Sequence, residues 1–118
     1  MADMTTLETK LADLKLFQNV LIECAQKLMA ATDDQTIRER LEKMITSDRE
    51  NLGSIEKAIS QVGSTAQPRD ITQKHAEKVS QMINGSELTL YDKFFQFELL
   101  KHQQTMNGLQ ARAGWMWR

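Results

Sequence analysis

The chain has 118 residues, with 15 Lys and Arg, 16 Asp and Glu, and a formal net charge of −1. This length suits one domain, 1–118, and a hydrophobic fraction of 41% is ordinary for a folded globular protein. Because phosphate binding needs clustered positive charge, the balanced charge predicts that nucleic acid is not a partner. The one cysteine excludes an intrachain disulfide, and no apolar run reaches the length of a membrane span. We therefore expect a cytoplasmic protein with no membrane partner.

Apolar residues recur at helical spacing throughout the chain, and glycines and the single proline separate four segments. Thr5 with Glu8 and Thr32 with Gln35 have capping-box spacing and begin the first two helices. Gly63 ends the second helix in the left-handed conformation. Four helices with short connections predict an all-α fold, an antiparallel four-helix bundle with a short third helix and a long fourth helix. The predicted helices span 6–30, 33–62, 71–84 and 87–113.

Polar side chains fall on predicted helix faces that are otherwise apolar. Asp48 lies in the middle of the apolar stripe of the second helix, where a carboxylate needs a hydrogen bond, a counter-charge, a proton or a metal ion. Glu98 and His102 fall in the apolar sector of the fourth helix, and His75 lies near the apolar side of the third. Ile71 is expected on that side of the third helix as well. The apolar residues expected to face inward from the fourth helix are Tyr91, Phe94, Phe95, Met106 and Leu109.

Two interpretations of these inward carboxylates and imidazoles are open. Such groups bind non-haem iron, manganese or zinc, and bundle interiors hold such sites. The i,i+4 spacing of Glu98 and His102 equally suits an ion pair, and the Glu-x-x-His motif of di-iron bundles is absent from the sequence. At a rise of 1.5 Å per residue, His75 and Glu98 would share a level, whereas Asp48 would lie more than about 10 Å away. A buried polar network or ion pair is therefore the first interpretation, and a metal site is the second.

The predicted helix lengths leave part of the fourth helix without a neighbour. A third helix of roughly 14 residues and a fourth of roughly 27 leave about 20 Å of the fourth helix beyond the third. This extension is rich in Met, Leu and Trp, which predicts self-association, with a dimer favoured. Alternatively, the first helix covers the extension and its tryptophan-rich end folds back as core. The residues assigned to the predicted interface are Met106, Leu109, Trp115 and Trp117.

Two stretches resemble a known family. The segments 48–59 (DRENLGSIEKAI) and 84–109 (NGSELTLYDKFFQFELLKHQQTMNGL) are similar to bacterial, notably cyanobacterial, ferritin-like proteins grouped with hemerythrin HHE cation-binding domains. The resemblance implies a ferritin-like or hemerythrin-like bundle that binds non-haem iron, with Asp48, Glu98 and His102 as candidate ligands and His75 as an addition. The chain has 2 histidines, fewer than a hemerythrin di-iron centre uses, so the ligand set is degenerate.

These features lead to two functional hypotheses. The first is a small ferritin-like helical protein that acts by self-association or partner binding, without catalysis. The alternative is a non-haem iron or manganese protein with weak oxidase or peroxide chemistry.

Overall fold

The computed structural model describes residues 4–116, with side chains from 6 to 108, and the regular structure in this part of the chain is entirely helical. This confirms the all-α prediction and is consistent with a helical bundle. The third helix, with 15 residues, is short and the fourth, with 27, is long, as predicted. None of the described helices has the length and apolar character needed to cross a membrane. The four helices are α1 (Met4–Ala31), α2 (Gln35–Val62), α3 (Asp70–Asn84) and α4 (Leu90–Met116).

The ends of α2 show one correct and one incorrect prediction. Asp34 caps its N-terminus, because its Oδ1 accepts a hydrogen bond from the backbone N–H of Thr36 at 2.9 Å. The capping box assigned to Thr32 and Gln35 is wrong, since the hydroxyl of Thr32 instead accepts from the backbone N–H of Asp34 in the turn before the helix. At the other end, Gly63 has φ +64° and ends the helix in the left-handed region, as expected.

α1 is the central helix of the fold. The other three helices each pack mainly against it, so buried side chains cover a broad part of the surface of α1, and one exposed side carries Lys15, Asn19, Glu23 and Gln26. Near its beginning, a cluster of leucines packs against the last two turns of α2. Farther along, α1 contributes to a larger core shared with residues from α2, α3 and α4. The large buried side chains of α1 are Leu7, Leu11, Leu14, Phe17, Val20, Leu21, Ile22 and Leu28.

Polar contacts fix α3 along the middle of α1. At the start of α3, the Asp13 carboxylate accepts hydrogen bonds from the backbone N–H of Arg69 at 2.9 Å and from its Nε at 2.7 Å. At the end of α3, the Lys27 ammonium contacts the side-chain oxygen of Asn84. The short α3 therefore lies beside only half of α1.

The middle of α4 lies beside the first half of α1. The side-chain amide of Gln104 donates a hydrogen bond to the backbone oxygen of Leu14 at 2.9 Å. At this level α1 and α4 are in direct contact, whereas the side chains of Leu109, Trp115 and Trp117, on which the alternative to self-association depends, lie outside the described residues.

The face of α4 that packs inward differs from the predicted one. Phe97 is 1% exposed and Leu100 is also buried, whereas Tyr91 and Phe95 are 78% and 55% exposed. Among the predicted inward residues whose side chains are described, which leaves out Leu109, Phe94 alone packs partly against the core, and Met106 is exposed. The prediction was wrong because α4 carries apolar residues on opposite faces, and the buried face includes polar side chains whose ends are hydrogen-bonded. Ile71 of α3, also expected inside, is exposed as well.

Candidate functional site

The acidic residue in the apolar stripe of α2 lies opposite α4. Asp48 is 1% exposed, and its Oδ1 accepts a hydrogen bond from Nζ of Lys101 at 2.6 Å. The Lys101 side chain is 24% exposed, so the ion pair is largely shielded from water. Asp48 is thus buried and paired, as the first interpretation required. Its partner is a lysine that the sequence reasoning did not single out.

Two amide side chains lie next to this ion pair. Gln104 follows Lys101 by three residues on the same face of α4, and it is buried. Its Nε2 contacts Oε1 of the buried Gln18 at 3.4 Å, besides its bond to the backbone of α1. We call Asp48, Lys101, Gln104 and Gln18 together the inner polar cluster. The signal for it in the sequence was the position of Lys101 and Gln104 on the same side of α4 as Phe97.

Two buried atoms of the inner polar cluster have no hydrogen-bond partner within the described part of the chain. They are Nε2 of Gln18 and Oδ2 of Asp48. Both residues line a cavity of about 370 Å³ between α2 and α4, which we call the α2–α4 cleft. This volume lies at the lower end of the range of small-molecule sites. The apolar walls of the cleft are formed by Leu7, Leu11, Leu14, Leu21, Ile55 and Ala58.

The other predicted metal ligands do not join Asp48. Glu98 and His102 are exposed on α4, because the face that packs on α1 is the opposite one. His75 is exposed on α3, and its ring lies 5.0 Å from that of Phe17 in a tilted arrangement. Among the described residues, no group of three or more His, Cys, Asp and Glu side chains could hold a metal ion. These residues do not fit the iron that the family resemblance implied.

The exposed side of α4 carries an apolar stripe, which we call the outer face. Its residue Met106, assigned to the predicted interface, is 47% exposed. The side chains of Leu109, Trp115 and Trp117, assigned to the same interface, lie outside the described residues. The outer face is formed by Tyr91, Phe95, Leu99, His102 and Met106.

Cys24, a residue of α1, lies in the main hydrophobic core of the protein and is 2% exposed. Burial, together with a smaller effect of the nearby Glu23 carboxylate and against an opposing effect of Lys27, raises the pKa of its thiol from 9.0 to about 11. The thiol is therefore protonated at neutral pH and unreactive in the folded chain.

We expect this thiol to make the fold sensitive to alkali. Because the folded-state pKa is raised, the unfolded chain releases the thiol proton first. The stability that Cys24 contributes is complete below about pH 9 and is lost as the pH rises to about 11, by about 2 to 3 kcal/mol. Urea unfolding at pH 8, 10 and 11 measures this loss. The Cys24→Ala variant is the control, and an equal loss in both proteins would contradict the prediction.

Comparison with known proteins identifies one informative relative. No family model matches the chain, and no solved structure gives a significant match. The chain is 40% identical over 100 residues to a protein named DNA nickase from Nostoc sp. (strain PCC 7120 / SAG 25.82 / UTEX 2576). The match covers 85% of this chain and 28% of the nickase, so the chain spans little more than a quarter of the length of that relative.

This relative overturns several expectations from the sequence. Its name points to DNA, so both predicted functions are wrong. These were a ferritin-like protein that acts by self-association or partner binding, and the alternative of an iron-binding protein. The prediction that excluded nucleic acid is wrong for the same reason. Net charge averages over the whole surface, and it does not describe local contacts such as base stacking. The metal-binding assignment is corrected by both the relative and the dispersed ligands.

Proposed function

We propose that this chain takes part in DNA strand nicking, as a helical module that contacts DNA. The observation that carries the proposal is the 40% identity to a DNA nickase over 85% of the chain. Because the match spans 28% of that relative, the proposal assigns to this chain a DNA contact within a nicking system.

The outer face of α4 supports a particular kind of DNA contact. Tyr91 and Phe95 are four residues apart, so their exposed rings lie on one side of the helix, one turn from each other. Exposed aromatic rings stack on unpaired bases with about 1 to 3 kcal/mol per base. A chain with a net charge of −1 has little general attraction for duplex phosphates. We therefore infer a preference for single-stranded or nicked DNA over intact duplex.

The contacts between helices support a finer description of the fold. The pairs Asp13 with Arg69 and Lys27 with Asn84 place α1 and α3 in the same direction. The start of α4 lies at the end of α3, where Nζ of Lys93 donates to the backbone oxygen of Gly85, and Gln104 reaches Leu14 in the first half of α1, which supports the opposite direction for α4. We infer an antiparallel arrangement of helices in which α1 is central. Separately, we propose that the chain acts in the cytoplasm.

Fluorescence anisotropy with three labelled DNAs tests this function. The DNAs are a single strand, a nicked duplex and an intact duplex of the same sequence. We expect binding to the first two and weaker binding to the third. In parallel, the chain is incubated with supercoiled plasmid and Mg²⁺, and conversion to open circles is followed on agarose gels. Absence of both DNA binding and plasmid conversion would overturn the proposal.

A double variant tests the stacking contact separately. Replacing Tyr91 and Phe95 by alanine is expected to weaken single-strand binding at least tenfold, because two stacking surfaces are lost. Ile71→Ala, which removes an exposed apolar side chain from α3, is the matched control. If the double variant binds single strands as well as the control does, the outer face is not the contact.

A further inference from the structure

The two unpartnered atoms in the α2–α4 cleft have opposite hydrogen-bonding character. Nε2 of Gln18 can only donate, and Oδ2 of Asp48, as part of a carboxylate, accepts. Buried polar atoms are nearly always hydrogen-bonded, because an unsatisfied one costs about 1 to 3 kcal/mol. The two side chains are 3% and 1% exposed, and both line the same cavity. The cleft thus offers one unpartnered donor and one unpartnered acceptor to a ligand.

The charge of the site favours a neutral ligand. Oδ1 of Asp48 already accepts a hydrogen bond from the Lys101 ammonium, so the carboxylate has its counter-charge. A cationic ligand would compete with Lys101, and an anionic ligand would meet Asp48 in a poorly hydrated environment. A neutral ligand satisfies the free oxygen without disturbing the ion pair.

The walls of the cleft favour an apolar body. Leucines of α1 and the Ile55 and Ala58 side chains of α2 line the cavity beyond the inner polar cluster. Small-molecule sites commonly combine such walls with a few converging polar groups that fix the orientation of the ligand.

We propose that the α2–α4 cleft binds a neutral small molecule, or a group of one, that presents an amide edge on an apolar body. Its N–H donates to Oδ2 of Asp48, and its carbonyl oxygen accepts from Nε2 of Gln18. Carboxamides present this pairing of an N–H and a carbonyl oxygen, and so do the lactam groups of nucleobases such as thymine. The inference does not depend on the proposed DNA contact, because the outer face lies on the other side of α4 from the cleft.

Titration of the ¹⁵N-labelled chain, followed by amide chemical shifts, tests the proposal. The amide probes are benzamide and thymidine, and the controls are benzoate, benzylamine and toluene, which lack the neutral amide edge. We expect at least one amide probe to saturate shifts around the cleft, and to bind at least fivefold more tightly than every control. Tighter binding of thymidine would identify the nucleobase source, and tighter binding of benzamide the carboxamide source. Absence of binding by both amide probes at millimolar concentration would overturn the proposal.

A variant then tests the donor. Gln18→Met keeps the length of the side chain but removes Nε2, and it is expected to weaken the amide probe at least fivefold. Gln26→Met, at an exposed position of α1, is the matched control and should bind as the unaltered chain does. Equal affinity of the two variants would overturn the assigned contact. The probe series on the unaltered chain decides the proposal even if Gln18→Met folds poorly.

Discussion

Replacing Lys101 by methionine is expected to lower the free energy of unfolding by about 3 kcal/mol. The substitution keeps an apolar stem of similar length but removes the counter-charge of Asp48, which is 1% exposed. A carboxylate that is left buried without a partner must be hydrated, protonated or exposed, and each of these weakens the packing of α2 against α1. Urea unfolding followed by circular dichroism measures the effect.

Two further variants give this experiment its controls. Lys57→Met removes a charge from an exposed position of α2 and should change stability by no more than about 0.5 kcal/mol. The double variant Asp48→Leu with Lys101→Met removes both charges and should recover most of the lost stability, because buried ion pairs are often replaceable by apolar residues. If Lys101→Met were as stable as Lys57→Met, the ion pair would not be shielded as described.

Replacing Phe97 by alanine is expected to cost about 3 to 5 kcal/mol. The ring is 1% exposed in the main core, so its removal leaves a cavity that neighbouring helices fill only in part. Phe95→Ala removes the same side chain two residues away, at a position that is 55% exposed. It should change the free energy of unfolding by no more than about 0.5 kcal/mol.

This matched pair tests the orientation of α4 directly. Both variants replace phenylalanine by alanine within the same helix, so they lose the same atoms and change helix propensity equally. The difference between their free energies of unfolding therefore reports burial alone. A larger loss for Phe95→Ala than for Phe97→Ala would mean that the outer face is the buried one. That result would also remove the basis of the inner polar cluster.

The helices and the burial of Asp48 were predictable from the sequence, because both follow from local patterns. Gly63 is a helix-ending residue by its own conformational freedom, and Asp48 lies in a clear apolar stripe. The orientation of α4 was not predictable in this way. Phe95 and Phe97 are both apolar and lie on different sides, so the choice between them depends on the position of α1.

The candidate site depends on the same choice. Asp48 could be recognised as an acid that needs a partner, but Lys101 became that partner only once α4 turned the Phe97 side inward. Gln18 looked like an ordinary polar residue within a helix, and its burial follows from the central position of α1. The connection to DNA came from neither composition nor helix geometry, since a net charge of −1 carries no sign of it.

The central position of α1 has a consequence for how the chain becomes ordered. A helix with so broad an apolar surface has only one side suited to water, so α1 does not persist as a separate folded piece. It gains its stability only as the other helices dock, which ties their formation into one cooperative transition. Detachment of α3 alone exposes one side of α1 and is the least costly partial opening, whereas amide hydrogens in the middle of α1 exchange only when the whole assembly opens.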